Sequence, residues 1–156
     1  MSVFPMTIVV ATDGSAEANV AVQTAAELGA KSGSELHIVH VRVLPFYLSS
    51  HAISHASKDL KKDLERERKQ LEKMAQELLD EQARIIEDAG GSVAQAHLRF
   101  GKPDEEVTAL AEEISAGLIV MGSRGLGGTR RALMGSGSDS VVRHAHCSVL
   151  IVRKED

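Results

Sequence analysis

Five short runs of branched apolar residues recur along this chain, separated by segments whose apolar residues fall at helical spacing, and that alternation constrains the fold more than any other feature. Met6 to Ala11 (MTIVVA) is nearly continuous in apolar and β-branched residues, as a strand buried on both faces should be. It stops at Thr12-Asp13-Gly14-Ser15, a cluster of turn formers. Ser15 is placed to cap a helix in which Ala18, Val22, Ala25 and Leu28 recur at helical spacing, with Gly33 near its end. Glu35 to Val43 (ELHIVHVRV) predicts a second strand, followed by Pro45 and a loop carrying His51 and His55.

From about Ile53 to Ala89 the chain is heavily charged, yet Leu64, Leu71, Leu78 and Ile85 recur every seven residues, supported by Leu60, Met74 and Ile86. That pattern predicts one long amphipathic helix ended by Gly90-Gly91, with the charges from Lys58 to Arg84 on a solvated face. Ser92 to Phe100 alternates as a third strand, and Gly101-Lys102-Pro103-Asp104 turns into a helix with Val107, Leu110, Ala111 and Ile114 inward. Gly117 to Met121 is the fourth strand. A glycine-rich stretch follows, then Gly135 to Ser138 opening a last helix through His144, then Ser148 to Val152 as the fifth strand. Strands alternating with helices imply right-handed parallel βαβ units, hence an α/β, doubly wound, five-stranded parallel sheet with helices on both faces.

With 156 residues, 43% of them apolar, the chain has material for one proper core and too little for two ordinary domains, so residues 1–156 are expected to form a single domain. Within it, 45–58 is expected to be a variable loop and 153–156 a C-terminal tail. A net charge of −4 with interspersed signs argues against nucleic acid, whose partners need a basic footprint. The single cysteine, Cys147, makes neither an internal disulfide nor a structural zinc site, and is expected to be a packed small residue. No apolar run approaches the ~18 residues of a membrane span, and no basic region precedes the first apolar run. The expectation is a cytoplasmic chain without a membrane partner.

In open parallel sheets, ligands sit beyond the carboxyl ends of the strands where the strand order reverses. Of the loops there, only Gly122 to Gly128 is glycine-rich. Its pattern is Gly122, two residues, Gly125, nine residues, Gly135, then Ser136 (GSRGLGGTRRALMGS). Glycines let backbone N–H groups approach phosphate oxygens, and a following helix start adds a partial positive charge and unpaired donors. Ser136 and Ser138 have hydroxyls for the same anion, and Arg124, Arg130 or Arg131 have the charge to neutralise it. The glycines are also compatible with a flexible surface loop, and Asp13 with an Asx turn or a helix cap.

These residues carry a resemblance. The spaced glycines, MTIVVATDGS at strand one, HIVHVRV at strand two, GKPDEEV, LIVMGSRGLGG and HCSVLIVR together resemble the nucleotide-binding subgroup of the universal stress protein family over essentially the full length. The resemblance implies a Rossmann-like fold of the adenine nucleotide alpha hydrolase-like type with strand order 3-2-1-4-5. It also implies roles: Ala11 and Thr12 beside the base and ribose, Asp13 at the ribose and phosphate side, and Val41 meeting the adenine through its backbone. Gly122, Arg124, Gly125 and Gly127 would run along ribose and phosphates, and Gly135, Ser136, Gly137 and Ser138 would form the phosphate turn. Gly137 and Asp139 depart from the family pattern, which has an apolar residue and glutamate at those places.

ATP, with Mg²⁺ bridging its phosphates, is the implied ligand, with AMP or cyclic AMP as alternatives. Pairing into a homodimer through Ser148 to Val152 is implied too, and that strand is an apolar edge short of gatekeeping charge until Arg153. No catalytic constellation stands beside the site: Asp13 is the only plausible base, the Walker pattern fails around Gly101-Lys102-Pro103, and Ser136 to Ser140 does not fit a pyrophosphatase loop. His51 and His55 lack an evident third metal ligand. The expected function is therefore a stress-response or regulatory binding module, not an enzyme. A slow ATPase or phosphotransferase, and a nucleotide-independent interaction module built on the charged helix, remain the alternatives.

Overall fold

The computed structural model describes residues 4–5, 7–123 and 135–155. Five strands, β1 (Thr7–Ala11), β2 (Glu35–Arg42), β3 (Gln95–Phe100), β4 (Leu118–Gly122) and β5 (Ser148–Val152), form one sheet in the order β3-β2-β1-β4-β5. Every pairing is parallel. The doubly wound fold and the strand order expected above are those observed. Among the described residues, helices α1 (Ala16–Ser32), α3 (Lys58–Asp88), α4 (Pro103–Glu113) and α5 (Ser136–His144) pack on the sheet, and the short α2 (Ser50–Ser54) packs on α3.

Strand alternation sorts the core into two layers. Ile8, Val10, Leu36, Ile38, Leu118 and Val120 pack with α1 and α3 on one face. Val9, Val39 and Ile119 face α4 and α5 on the other, through Val107, Leu110, Ala111 and Val141. The central strand is buried on both faces, Ile8, Val9 and Val10 each being 0% exposed. Local chemistry sets the helix starts. Ser15 accepts a hydrogen bond from the Ala18 N–H (3.1 Å), Ser49 from Ala52 (3.1 Å) and Ser57 from Leu60 (3.4 Å), each an N-cap.

Several boundaries differ from the sequence reading. The segment after β2 is not plain loop: it holds a 3-10 turn at Phe46–Leu48 and then α2, with Leu48 and Ile53 buried. The helix expected from Ile53 is split, because Ser57 caps a new start and α3 begins at Lys58. Residues 92–94 precede β3 rather than open it; Val93 packs on the core and the Ala94 N–H bonds the Leu36 carbonyl before the ladder begins at Gln95. The seven-residue set on α3, Leu64, Leu71, Leu78 and Ile85, is half-buried and Ile85 packs on the core, but the most buried line runs beside it. Ala75, Leu79, Gln82 and Ile86 are buried, whereas Leu60 and Met74 are 50% and 53% exposed. Cys147 packs beside the α4 and α5 core, and burial pushes its thiol pKa up. Among the described residues no helix is long and apolar enough to cross a membrane.

Candidate functional site

β1 lies between β2 and β4, so the chain winds one way from it to β2 and β3 and the other way to β4 and β5. At the carboxyl ends of the strands, this reversal leaves a cleft that the helices cannot fill. A cavity of about 540 Å³ occupies it. Ala11, Val39, Val41, Met121 and Val107 make it apolar on the sheet side and the α4 side. Thr12, Asp13 and Ser15 line it from the β1–α1 loop, Gly122 from the end of β4, and Gly135 to Ser138 from the start of α5.

The β1–α1 loop is held by its own polar atoms. Asp13 Oδ1 accepts the Ser15 N–H at 2.9 Å, an Asx turn, while the Thr12 hydroxyl oxygen accepts the Gly14 N–H at 3.2 Å. Gly14 sits at φ +79, a left-handed conformation that favours glycine, and a Cβ there would meet Leu78 Cδ1 at 3.0 Å. Gly122 is a glycine for another reason. Its Cβ would stand 3.2 Å from the backbone carbon of Glu17, so α1 can pack this close to β4 only because the side chain is missing. The Ser123 hydroxyl donates to Glu17 at 2.7 Å across the same contact.

The start of α5 is tied to the end of β4. The Gly135 N–H donates to the Ser123 carbonyl (2.6 Å) and the Ser138 hydroxyl to the Gly122 carbonyl (2.8 Å). The hydroxyl of Ser138, expected to serve an anion, thus has a structural partner. Among the described residues no side chain caps α5, and Gly135 stands at its N-cap. A helix start facing a cavity in this way favours a negative group.

Two carboxylates also line the cavity, Asp13 and Asp104. Asp104 lies in the first turn of α4 and accepts the Ser140 hydroxyl of α5 at 2.6 Å. That bond, helped by nearby backbone N–H groups, holds its carboxyl below the usual range, so it stays ionised. Sequence reading missed Asp104 as a site residue. Its signal is its place in Gly101-Lys102-Pro103-Asp104, the turn where β3 hands over to α4 at the ligand end of the sheet.

Of the residues singled out from sequence, Ala11, Thr12, Asp13, Val41, Gly122, Gly135, Ser136, Gly137 and Ser138 share this one cavity. Arg124, Gly125 and Gly127, with Arg130 and Arg131, lie outside the described residues. His51 and His55 stand with ring centroids 4.4 Å apart, and His55 Nδ1 bonds the His51 carbonyl at 2.9 Å. Among the described residues no three His, Cys, Asp or Glu side chains are placed to hold a metal ion.

A doubly wound parallel sheet with its cleft at the β1–β4 reversal, rimmed by a helix start and an Asx-turned aspartate, defines an open-sheet α/β domain of the Rossmann-like class. Within that class the chain belongs to the universal stress protein family, whose pattern matches residues 6–153. A Staphylococcus aureus (strain USA300) chain that bears the universal stress protein name is 35% identical over 150 residues, 96% of this chain and 84% of that one. A universal stress protein solved in complex with cAMP superposes with a TM-score of 0.68 at 25% identity, covering 97% of this chain and 98% of the other. An Archaeoglobus fulgidus universal stress protein in complex with dAMP superposes with a TM-score of 0.64 at 26% identity, over 94% and 97% of the two chains.

Proposed function

We infer that the cleft binds an adenine nucleotide and that the chain acts as a regulatory binding module in the stress response rather than as a catalyst. The observation that carries this reading is the division of the cavity between an apolar part, made by Val39, Val41, Val107 and Met121, and the uncapped start of α5 at Gly135 to Ser138. A purine suits the first and a phosphate the second. At about 540 Å³ the cavity falls in the ~300–1,000 Å³ range of small-ligand sites. The cAMP and dAMP held by two relatives of the same fold support the choice of adenine.

ATP is the favoured ligand and AMP or cyclic AMP the alternatives, since a helix start specifies phosphate and not its number. Mg²⁺ is commonly held by one or two carboxylates together with substrate phosphates, and Asp13 and Asp104 are the carboxylates available to it here. Two copies are proposed to pair along β5, the sheet edge opposite β3, in the cytoplasm. Isothermal titration calorimetry with ATP, AMP and cyclic AMP, with and without Mg²⁺, tests the reading, and native mass spectrometry of the purified protein reports any retained nucleotide. Saturable binding of at least one, weakened by Asp13→Ala, is expected. Absence of saturable binding for all three would reject it, and steady phosphate release lost in Asp13→Ala would turn it toward an ATPase.

A further inference from the structure

The face that α3 turns to the sheet is apolar at Ala75, Leu79 and Ile86, yet Gln82 stands among them with 4% exposure. An amide buried without partners costs about 1–3 kcal/mol, so its partners explain its presence. Gln82 Oε1 accepts the Thr12 hydroxyl at 2.5 Å, and its Nε2 donates to Asn19 Oδ1 at 2.8 Å. Thr12, 6% exposed, is the first residue beyond β1 and lines the cavity. All its polar groups are committed. Its N–H donates to the Val39 carbonyl (3.0 Å), its carbonyl accepts from His40 Nδ1 (2.9 Å), and its hydroxyl bonds Gln82 while accepting from Gly14.

We propose that Gln82 is a positioning residue for the cleft: from helix α3 it fixes the Thr12 hydroxyl, and through it the loop that presents Asp13, so that ligand meets a loop already in its binding conformation. The inference rests on the reading of the cleft as an adenine-nucleotide site. Seventy residues separate Gln82 from Thr12, so the bond makes the loop's shape depend on the docking of α3. Ordering a loop before the ligand arrives removes a cost otherwise charged to binding. Gln82 also has a steric alternative, since methionine at this place would continue the apolar line from Leu79 to Ile86 without a large change of volume.

The test compares wild type with Gln82→Met, Thr12→Val and the double variant, by ATP titration calorimetry with Mg²⁺ and by amide hydrogen exchange without ligand. Thr12→Val removes the same bond from the loop end, should Gln82→Met fail to fold. In Gln82→Met, exchange at Gly14 and Ser15 is expected to quicken about tenfold while Val9 and Val10 keep wild-type protection, and ATP affinity is expected to fall about tenfold. The double variant should lose less than the product of the two single losses, because the Thr12–Gln82 bond is common to both, while Gln82→Met alone also removes the bond to Asn19 and Thr12→Val alone the one from Gly14. Unchanged exchange at Gly14 and Ser15 would overturn the proposal. So would unchanged ATP affinity in a variant of a wild type that binds, or losses that multiply in the double variant. If wild type itself binds no nucleotide, the functional reading fails, and the exchange rates alone decide whether Gln82 holds the loop.

Discussion

At the scale of single residues, two glycines of the cleft have opposite physical standing. At Gly122 an added methyl would press on the backbone of Glu17 and Ala18, at 3.2 and 3.4 Å, and backbone does not rotate away. Gly122→Ala is therefore expected to destabilise by about 1–3 kcal/mol, the usual range for overpacking, visible as a lower urea midpoint. Gly137 meets nothing within 4 Å and lies inside α5. Gly137→Ala should stabilise by about 0.4–1 kcal/mol, through the lower entropy of the unfolded chain, and so raise the midpoint. Sequence showed both as members of one spaced-glycine pattern. Only the packing of α1 against β4 distinguishes the glycine that the fold needs from the one it tolerates.

At the scale of elements, α3 shows how a seven-residue apolar repeat finds the buried side of a helix without marking its most buried line. Its 31 residues span about 46 Å at ~1.5 Å each, while the eight-residue β2 runs about 26 Å at ~3.3 Å each. Helix this long overshoots the sheet, and Leu60 near its start is half exposed while Leu79 and Ile86 toward its end are buried. Leu79→Ala is expected to cost about 2–5 kcal/mol and Met74→Ala less than about 0.5 kcal/mol, measured by chemical denaturation. A second element-scale feature lies between β2, β3 and α4. His37 Nδ1 and His97 Nε2 are 2.9 Å apart, Glu35 stands 3.5 Å from His37, and Arg99 bonds Glu106 and Glu113 of α4. Burial first, then His37 and Arg99, hold the pKa of His97 below its usual value. A base with a lowered folded-state pKa contributes stability that is complete above its unfolded value, ~6.5, and is lost as pH falls through the folded value. The urea midpoint should thus decline on acidification from pH 7.5 to 5.5, and His97→Gln should flatten that decline.

At the scale of the whole molecule, β5 closes one side of the sheet with Leu150 at 36% exposure. If copies pair along this edge, Leu150→Lys should yield a folded monomer where wild type is a dimer, read by size-exclusion chromatography with light scattering. The chain's own sequence determined the alternation of strands and helices, the parallel doubly wound class and the loops that reach the ligand end. Those features rest on periodicity and turn chemistry acting within some ten residues of each other. Strand order came with the family resemblance, since periodicity does not rank strands. The tertiary structure alone decided that Gln82 meets Thr12, that Asp104 meets Ser140, that Ser138 spends its hydroxyl on Gly122, and which line of α3 faces the core. Each of these joins residues distant in sequence, and their meeting depends on where the sheet puts the elements that carry them.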